Sequence, residues 1–459
     1  MHRNQEVKNR NICILFPEDY LGVYPSLING ITQLSDWGNT VKIMWADKNC
    51  DFPSPPDFPE NVDFEKIKLD TSFDRNEFSD CSQDQLNSTK IRKDRIKEKL
   101  GQIIPQNWKD YVRRMRGVLI TNLENSTAQI SELRNLIKYI LFTYKNFREK
   151  KYCYIIAVDS VGLSTALICN FILKRKVGII YWSLELEPCN QSLWFKCMIK
   201  KLESFAQQMS DFIIIQEEQR AKALCSSNKL KFIEDNFVYV PHGMIGQTKL
   251  RKKSQFLRNK FKLQNEDIVI LHAGWINDAM SSLDLAKSTR SWEKNWKLIF
   301  HERENRSENE NYIQKISKLG FKNVLLSLKP VKFEKVDEVI NSSDVGVVIY
   351  NKQMGDNCEL ITRASGKMAH YLRCGIPVVC LSLPGYRKII DEYQCGVTFD
   401  NINQIHNAIR KILNNYDFYK KNTKRCYMEL YEFSIHFKKV TVRIDKLLKY
   451  NNKNLFNFL

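Results

Sequence analysis

The segment richest in chemistry is residues 364–380, ASGKMAHYLRCGIPVVC. Ser365 is a natural N-cap, Gly375 suits a left-handed position after a helix, and Pro377 opens the strand behind it. A short helix over about 366–374 is therefore expected. Its first turn would aim backbone N–H groups, the Ser365 hydroxyl and the Lys367 ammonium at one point. Unpaired N–H donors and the positive end of the helix dipole make such a terminus a phosphate site. Taken alone, S-G-K equally describes an ordinary capped helix with a surface lysine. The other routes to chemistry are thin. The seven histidines form no H-x-x-x-H and the thirteen cysteines no C-x-x-C, so a zinc site has no support in the pattern.

The elements around this segment alternate. Apolar runs at 12–16 and 41–45 flank a helical pattern carrying Leu27, Ile28, Ile31 and Leu34, which is the size of a βαβ unit. The rhythm resumes with strands at 154–158, 177–182, 212–215 and 237–240. A second series follows at 268–271, 297–300, 324–326, 345–349 and 378–381. Strands alternating with helices predict parallel sheets. The class expected is α/β, two Rossmann-like doubly wound domains facing across a cleft. The first would cover 1–243 and the second 244–430. A terminal helix over 431–459 carries Phe437, Val440, Ile444 and Leu447 at helical spacing and could cross back to the first domain.

Residues 51–150 interrupt the rhythm as a helical, charged insertion: net −7 over 51–89 and net +7 over 90–116. The basic part interleaves Trp108, Tyr111 and Met115 among its cations. It reads either as a solvated helix pair or as an interfacial membrane helix. The apolar stretch 154–173 is broken by Asp159, Gly162 and Asn170, so a strand, loop and helix are expected rather than a membrane span.

A chain of 459 residues suggests two or three domains, and 43% hydrophobic with 27% charged residues argues against extensive disorder. The net charge of +19 favours anionic partners: nucleic acid, anionic lipid or phosphorylated small molecules. Most of it lies late, net +5 through residue 250 and net +14 beyond. That ranks phosphates first and a membrane surface second, and no nucleic-acid module is recognisable. The cysteines sit largely in apolar runs, and the first residues lack an apolar secretion signal. A cytoplasmic protein is expected, with peripheral association at the inner membrane face as a further expectation.

The pattern S-G-K-x-x-x-Y-L-x-x-G-x-P-V-V resembles the second-domain signature of glycosyltransferases with the GT-B fold, in particular bacterial family 4-like enzymes. LLSLKPVKFEKVDEVINSSDVGVVIYN before it, PGYRKIIDEYQCGV after it, and DSVGLSTA, IIYWSLEL, FIIIQEEQRAKAL and VYVPHG earlier agree in order. The resemblance spans most of the chain outside 51–150. It implies transfer of a sugar from a nucleoside-diphosphate sugar, a UDP-sugar being the expected donor, to an acceptor hydroxyl in surface polysaccharide or glycolipid synthesis. Another GT-B enzyme, such as a nucleotide-sugar epimerase, and a non-catalytic protein binding RNA or lipid are the alternatives.

On this resemblance Ser365, Gly366 and Lys367 would hold the diphosphate, with Gly274 and Trp275 approaching from the other side. Val331 would bond the base edge, Tyr350 would face the crevice, and Glu359 would hold the sugar's hydroxyls. Two departures stand out. His370 occupies the position where many members hold the ribose with a Glu, and no cation precedes Lys287 in the loop after 268–271. On the acceptor side, Asp159 and Glu185 end strands and could orient or deprotonate the hydroxyl, and the loop around Gly22 should reach the cleft. No D-x-D occurs in the sequence, so the expected transfer is metal-independent, with no cofactor and Lys367 stabilising the leaving diphosphate.

Overall fold

The apolar runs form strands buried on both faces, as parallel sheets require. A computed structural model describes residues 10–48, 52–70, 106–187, 193–250, 252–351 and 355–456, with backbone only over 106–126 and 450–456. The first sheet contains β1 (Arg10–Phe16), β2 (Asn39–Asp47), β3 (Val62–Lys68), β4 (Tyr154–Val158), β5 (Gly178–Trp182), β6 (Phe212–Ile215) and β7 (Phe237–Tyr239). Its order is β3-β2-β1-β4-β5-β6-β7. The second contains β8 (Ile268–Ala273), β9 (Trp296–His301), β10 (Val324–Ser327), β11 (Val345–Val348), β12 (Val378–Leu381) and β13 (Gly396–Phe399), ordered β10-β9-β8-β11-β12-β13. Every pairing is parallel. Both sheets are doubly wound, with order reversing between β1 and β4 and between β8 and β11. Ligands of such sheets bind beyond the carboxyl ends of the strands at those reversals.

Two strands escaped the sequence pattern. β3 lies inside the stretch read as a helical, charged insertion. Its acids are consumed by pairing: Lys42 of β2 reaches Asp63 at 2.7 Å and Glu65 at 2.9 Å. An edge strand with one wet face has no continuous apolar run to betray it. β13 has only four residues. The rest of the insertion enters as one 44-residue helix, Gln106–Glu149. Its second half is core, because Tyr139 is fully buried and its hydroxyl donates to the Met44 carbonyl at 2.6 Å. The charged stretch 71–105, with most of the basic segment 90–116, lies outside the described residues. Among the described residues no helix is long and apolar enough to cross a membrane.

The final helix, Phe433–Phe456, packs against the first sheet. Phe433, Phe437, Val440 and Ile444 are buried with Trp182, the Trp182 and Phe437 rings 5.6 Å apart. Two segments run between the sheets and are bonded to each other. Tyr427 donates to the Met244 and Gly246 carbonyls at 2.6 and 2.9 Å, and Phe433 N–H donates to the Met244 carbonyl at 3.1 Å. Gly243 is obligatory there, since a Cβ would come within 2.0 Å of the Tyr431 carbonyl oxygen. Phe437→Ala should cost about 3–5 kcal/mol, as fully buried Phe truncations do. Urea unfolding followed by tryptophan fluorescence reads that loss directly.

Candidate active site

The helix expected after Ser365 forms as Gly366–Arg373. Ser365 caps it, its Oγ accepting the Met368 N–H at 3.2 Å while lying 3.0 Å from the Tyr350 hydroxyl. The side chain is fully buried, so its hydroxyl serves the cap and is not offered to a ligand, contrary to the role expected of it. What remains for an anion are the first N–H groups of the turn. The space before them is open, since a Cβ on Gly366 would meet nothing within 4 Å.

Lys367 folds back from this turn beneath the end of β8. Its Nζ lies 3.2 Å from His272 Nε2 and 3.0 Å from the Met280 sulfur, and 5.0 Å from the centre of the Tyr350 ring. Among the described residues no carboxylate pairs with it. Burial pulls the amine down to about 7, only partly offset by the Glu302 carboxyl and the Cys358 thiol, while Arg303 pushes the same way as burial. Burial first, and Lys367 second, hold His272 well below its ordinary value, so the imidazole beside the amine is neutral. An ammonium so short of counter-charge is poised for an anion.

The opposite wall is the turn after β8. Gly274 adopts φ +114°, and a Cβ there would sit 3.0 Å from Lys367 Cε. Glu302, fully buried just beyond β9, shapes this turn by accepting N–H groups from Ile276 at 2.9 Å and Arg303 at 2.8 Å. Burial raises its carboxyl to about 7 despite those bonds and Arg306. Arg303 then crosses the cleft. Its guanidinium lies 5.0 Å from the centre of the Trp275 ring, Nη2 donates to the Val23 carbonyl at 3.2 Å, and Nε is buried without a partner. The cation absent from the loop after β8 is thus supplied from the end of the neighbouring strand β9. Sequence reasoning looked only after β8; sheet order places β9 beside it, and that was the available signal.

On the first-domain side, Asp159 and Glu185 come together with unequal roles. Asp159 opens the helix Asp159–Ile172 at φ +52°, a left-handed turn that Asp tolerates better than most residues. Its Oδ1 accepts the N–H groups of Leu184 at 2.7 Å and Glu185 at 3.0 Å, so it holds the loop that presents Glu185. Burial, above all, keeps the Asp159 carboxyl well above the usual range, with the Glu185 charge adding to it. Glu185 opens into the cleft, 3.5 Å from the Tyr24 hydroxyl. Desolvation raises its carboxyl, and Arg220 and Arg303 oppose the rise. Arg220 is fully buried with carbonyl and amide partners: Leu184 at 3.0 Å, Asn357 Oδ1 at 3.1 Å and Leu360 at 3.3 Å. Asn357 in turn exchanges two hydrogen bonds with the backbone of Leu186, at 2.8 and 3.0 Å. His242 donates its N–H to the Arg363 carbonyl at 2.7 Å, and its Nδ1–H to that of Ala364 at 3.0 Å. Burial lowers its imidazole to about 3. Arg220 and His242 lie inside FIIIQEEQRAKAL and VYVPHG, segments that carry the resemblance, without being singled out there; Tyr24 carried no motif.

The other expected residues divide. Tyr350, two residues past β11, lies inside this cluster, and Trp275 lines it. Val331 follows β10, partly buried against the second-domain core. His370 has a buried Nε2 without a partner, and burial lowers its imidazole to about 4. Gly22 lies under the 53–54 backbone, where a Cβ would fall 2.0 Å from the Pro53 oxygen; its neighbour Val23 accepts the bond from Arg303 of the second domain. Glu359 is exposed, and its carboxylate has no ion pair or hydrogen bond among the described residues. No group of side chains among the described residues has the make-up of a metal site.

Residues 281–442 match the family described as Glucosyltransferase 3-like, C-terminal domain. No curated protein matches the sequence. The whole chain is similar in structure to sucrose-phosphate synthase from Thermosynechococcus elongatus (TM-score 0.61, 11% identity, 97% of this chain and 100% of that one). It is also similar to HepE of Anabaena in complex with UDP and glucose (TM-score 0.61, 12%, 95% and 100%). A third similar structure is WaaG, a glycosyltransferase involved in lipopolysaccharide biosynthesis (TM-score 0.57, 11%, 94% and 98%). The GT-B fold expected from the sequence is therefore the fold of this chain. The second domain is similar to a glucosyltransferase family, and the whole chain shares its fold with a glycosyltransferase.

Two glycines separate structure from binding. Gly274→Ala should destabilise the protein by about 1–3 kcal/mol, because an alanine there is strained and crowds Lys367. Gly366→Ala should leave stability within about 1 kcal/mol and instead weaken binding of UDP, because its Cβ enters open space before the helix terminus. Urea unfolding and calorimetric titration with UDP, run on both variants, distinguish the two effects.

Proposed function

We propose that the protein moves a hexosyl unit from a UDP-sugar to an acceptor hydroxyl without a metal ion. Lys367 carries this reading: a desolvated amine without a carboxylate, at a helix N-terminus, beside the reversal point of the second sheet. The diphosphate would seat on the Gly366–Lys367 turn, with Lys367 and Arg303 facing it from two directions. The positive charge that a metal would bring is already present in these side chains and the helix terminus. Charge that accumulates on the leaving diphosphate meets donors already in place, which is how such sites lower a barrier. The uridine would lie along the loop with Val331, and the orphaned Nε2 of His370 would serve a ribose hydroxyl.

Glu185 would orient the acceptor hydroxyl, or take its proton, with the Tyr24 hydroxyl 3.5 Å from its carboxylate, the Arg220 charge favouring the carboxylate form and Asp159 fixing its loop. A sugar or lipid-linked acceptor in surface polysaccharide or glycolipid synthesis, met by a cytoplasmic protein at the membrane face, fits the excess of basic residues.

Lys367→Ala should lower kcat/KM for the donor about 10²–10³-fold, the usual loss for one transition-state donor, with the fold intact by circular dichroism. Turnover equal to wild type would remove Lys367 from the reaction. Burial pulls the Lys367 amine down to about 7. A bound diphosphate favours the ammonium, so it raises that pKa and binding takes up a proton. Affinity for UDP should then fall as pH rises through about 7. Calorimetry across that range should show the slope in wild type and a flatter profile in Lys367→Met.

A further inference from the structure

The long helix Gln106–Glu149 presents an outward line of residues at helical spacing: Ile130, Arg134, Ile137, Leu141, Lys145 and Arg148. All six are exposed, Leu141 to 61%, and no acid occupies the line. Among the described residues Arg134, Lys145 and Arg148 have no ion-pair partner. The neighbouring helix ends beside this line, since the Cys169 thiol lies 3.7 Å from the Ile140 carbonyl and Arg175 donates to that of Lys150 at 3.2 Å. There Phe171 is 84% exposed and Ile172 52%, with Lys174 and Lys176 exposed just beyond. Large exposed apolar side chains interleaved with cations that lack an ion-pair partner among the described residues, with the exposed acid Glu149 only at the end of the helix, mark a contact face.

We propose that this face docks on an anionic lipid surface, extending the membrane-face part of the proposed function. Apolar side chains would enter the headgroup boundary while the Lys and Arg side chains meet lipid phosphates, the arrangement that interfacial helices use. A second copy of the chain fits poorly, because packing the line against itself sets cations against cations. The placement also suits the reaction. Gln129, one turn before Arg134, accepts the Phe195 N–H at 3.0 Å, at the start of the helix that follows the Glu185 loop. The line therefore runs toward the acceptor edge of the cleft, where a lipid-linked acceptor would rise from the membrane.

The test is co-sedimentation of the full chain with vesicles of phosphatidylglycerol and phosphatidylcholine, and with phosphatidylcholine alone. Wild type should pellet only with the anionic vesicles and be released by salt. The pair Lys145→Glu with Arg148→Glu, and the pair Leu141→Ser with Phe171→Ser, should each weaken binding at least about tenfold. Four exposed side chains can be changed without touching the core, and an unchanged thermal shift with UDP would confirm intact variants. Wild type left in the supernatant, or variants that pellet as wild type does, would overturn the proposal. So would light scattering that shows an oligomer dissociated by the Leu141 and Phe171 changes, because a second copy would then cover the face. A wild type that binds vesicles but ignores UDP would count against the donor reading and leave the docking face standing.

Discussion

Two sheets can cooperate in one reaction only if their orientation is held, and here two chain crossings hold it. The segments at Gly243–Gly246 and Tyr427–Phe433 approach until backbone meets backbone, closer than any Cβ at residue 243 would permit. Asn29 secures the same point by donating to the Gly243 carbonyl at 2.9 Å. The last helix then buries its aromatic face on the first sheet. Every cleft contact described above, from Arg303 on Val23 to Asn357 on Leu186, presupposes that these crossings fix the approach of the domains.

Within that frame the two halves are electrostatically unlike. The second-domain wall gathers Lys367, Arg303 and a helix N-terminus, with the compensating acid Glu302 buried behind the turn and its carboxyl pushed toward neutrality. The first-domain wall offers acids, Asp159 committed to backbone N–H groups and Glu185 open to the cleft. Desolvation moves Lys367, Asp159 and Glu185 away from their charged forms, which makes each side sensitive to what enters. An anion restores the ammonium of Lys367, and Arg220 and Arg303 favour the carboxylate of Glu185. Under the proposed function, a donor with a diphosphate and an acceptor with a hydroxyl would be the complementary pair of ligands.

Legibility in the sequence followed burial. Strands covered on both faces announced themselves as continuous apolar runs, and eleven of thirteen were placed within a residue or two at most ends. β3 was missed because its outer face is charged and its acids pair with Lys42, so composition resembled a solvated loop. The capped helix at Ser365 was legible down to its cap, since local hydrogen bonding decides it. What the cap implied for chemistry was less so: the hydroxyl thought available is spent on Met368 and Tyr350.

Periodicity, capping and net charge are local or additive properties, so the class of fold, the helix terminus at Gly366–Lys367 and the excess of positive charge are readable along the chain. Which charges meet is a matter of packing. Arg303 stands in for a cation the β8 loop lacks because sheet order sets β9 beside β8, a neighbourhood no spacing along the chain encodes. Packing also decided that Asp159 supports and Glu185 faces the cleft, although both are acids at strand ends. One carboxylate accepts two N–H donors within 3.0 Å and the other meets the Tyr24 hydroxyl at 3.5 Å, and that difference exists only after the loops have packed.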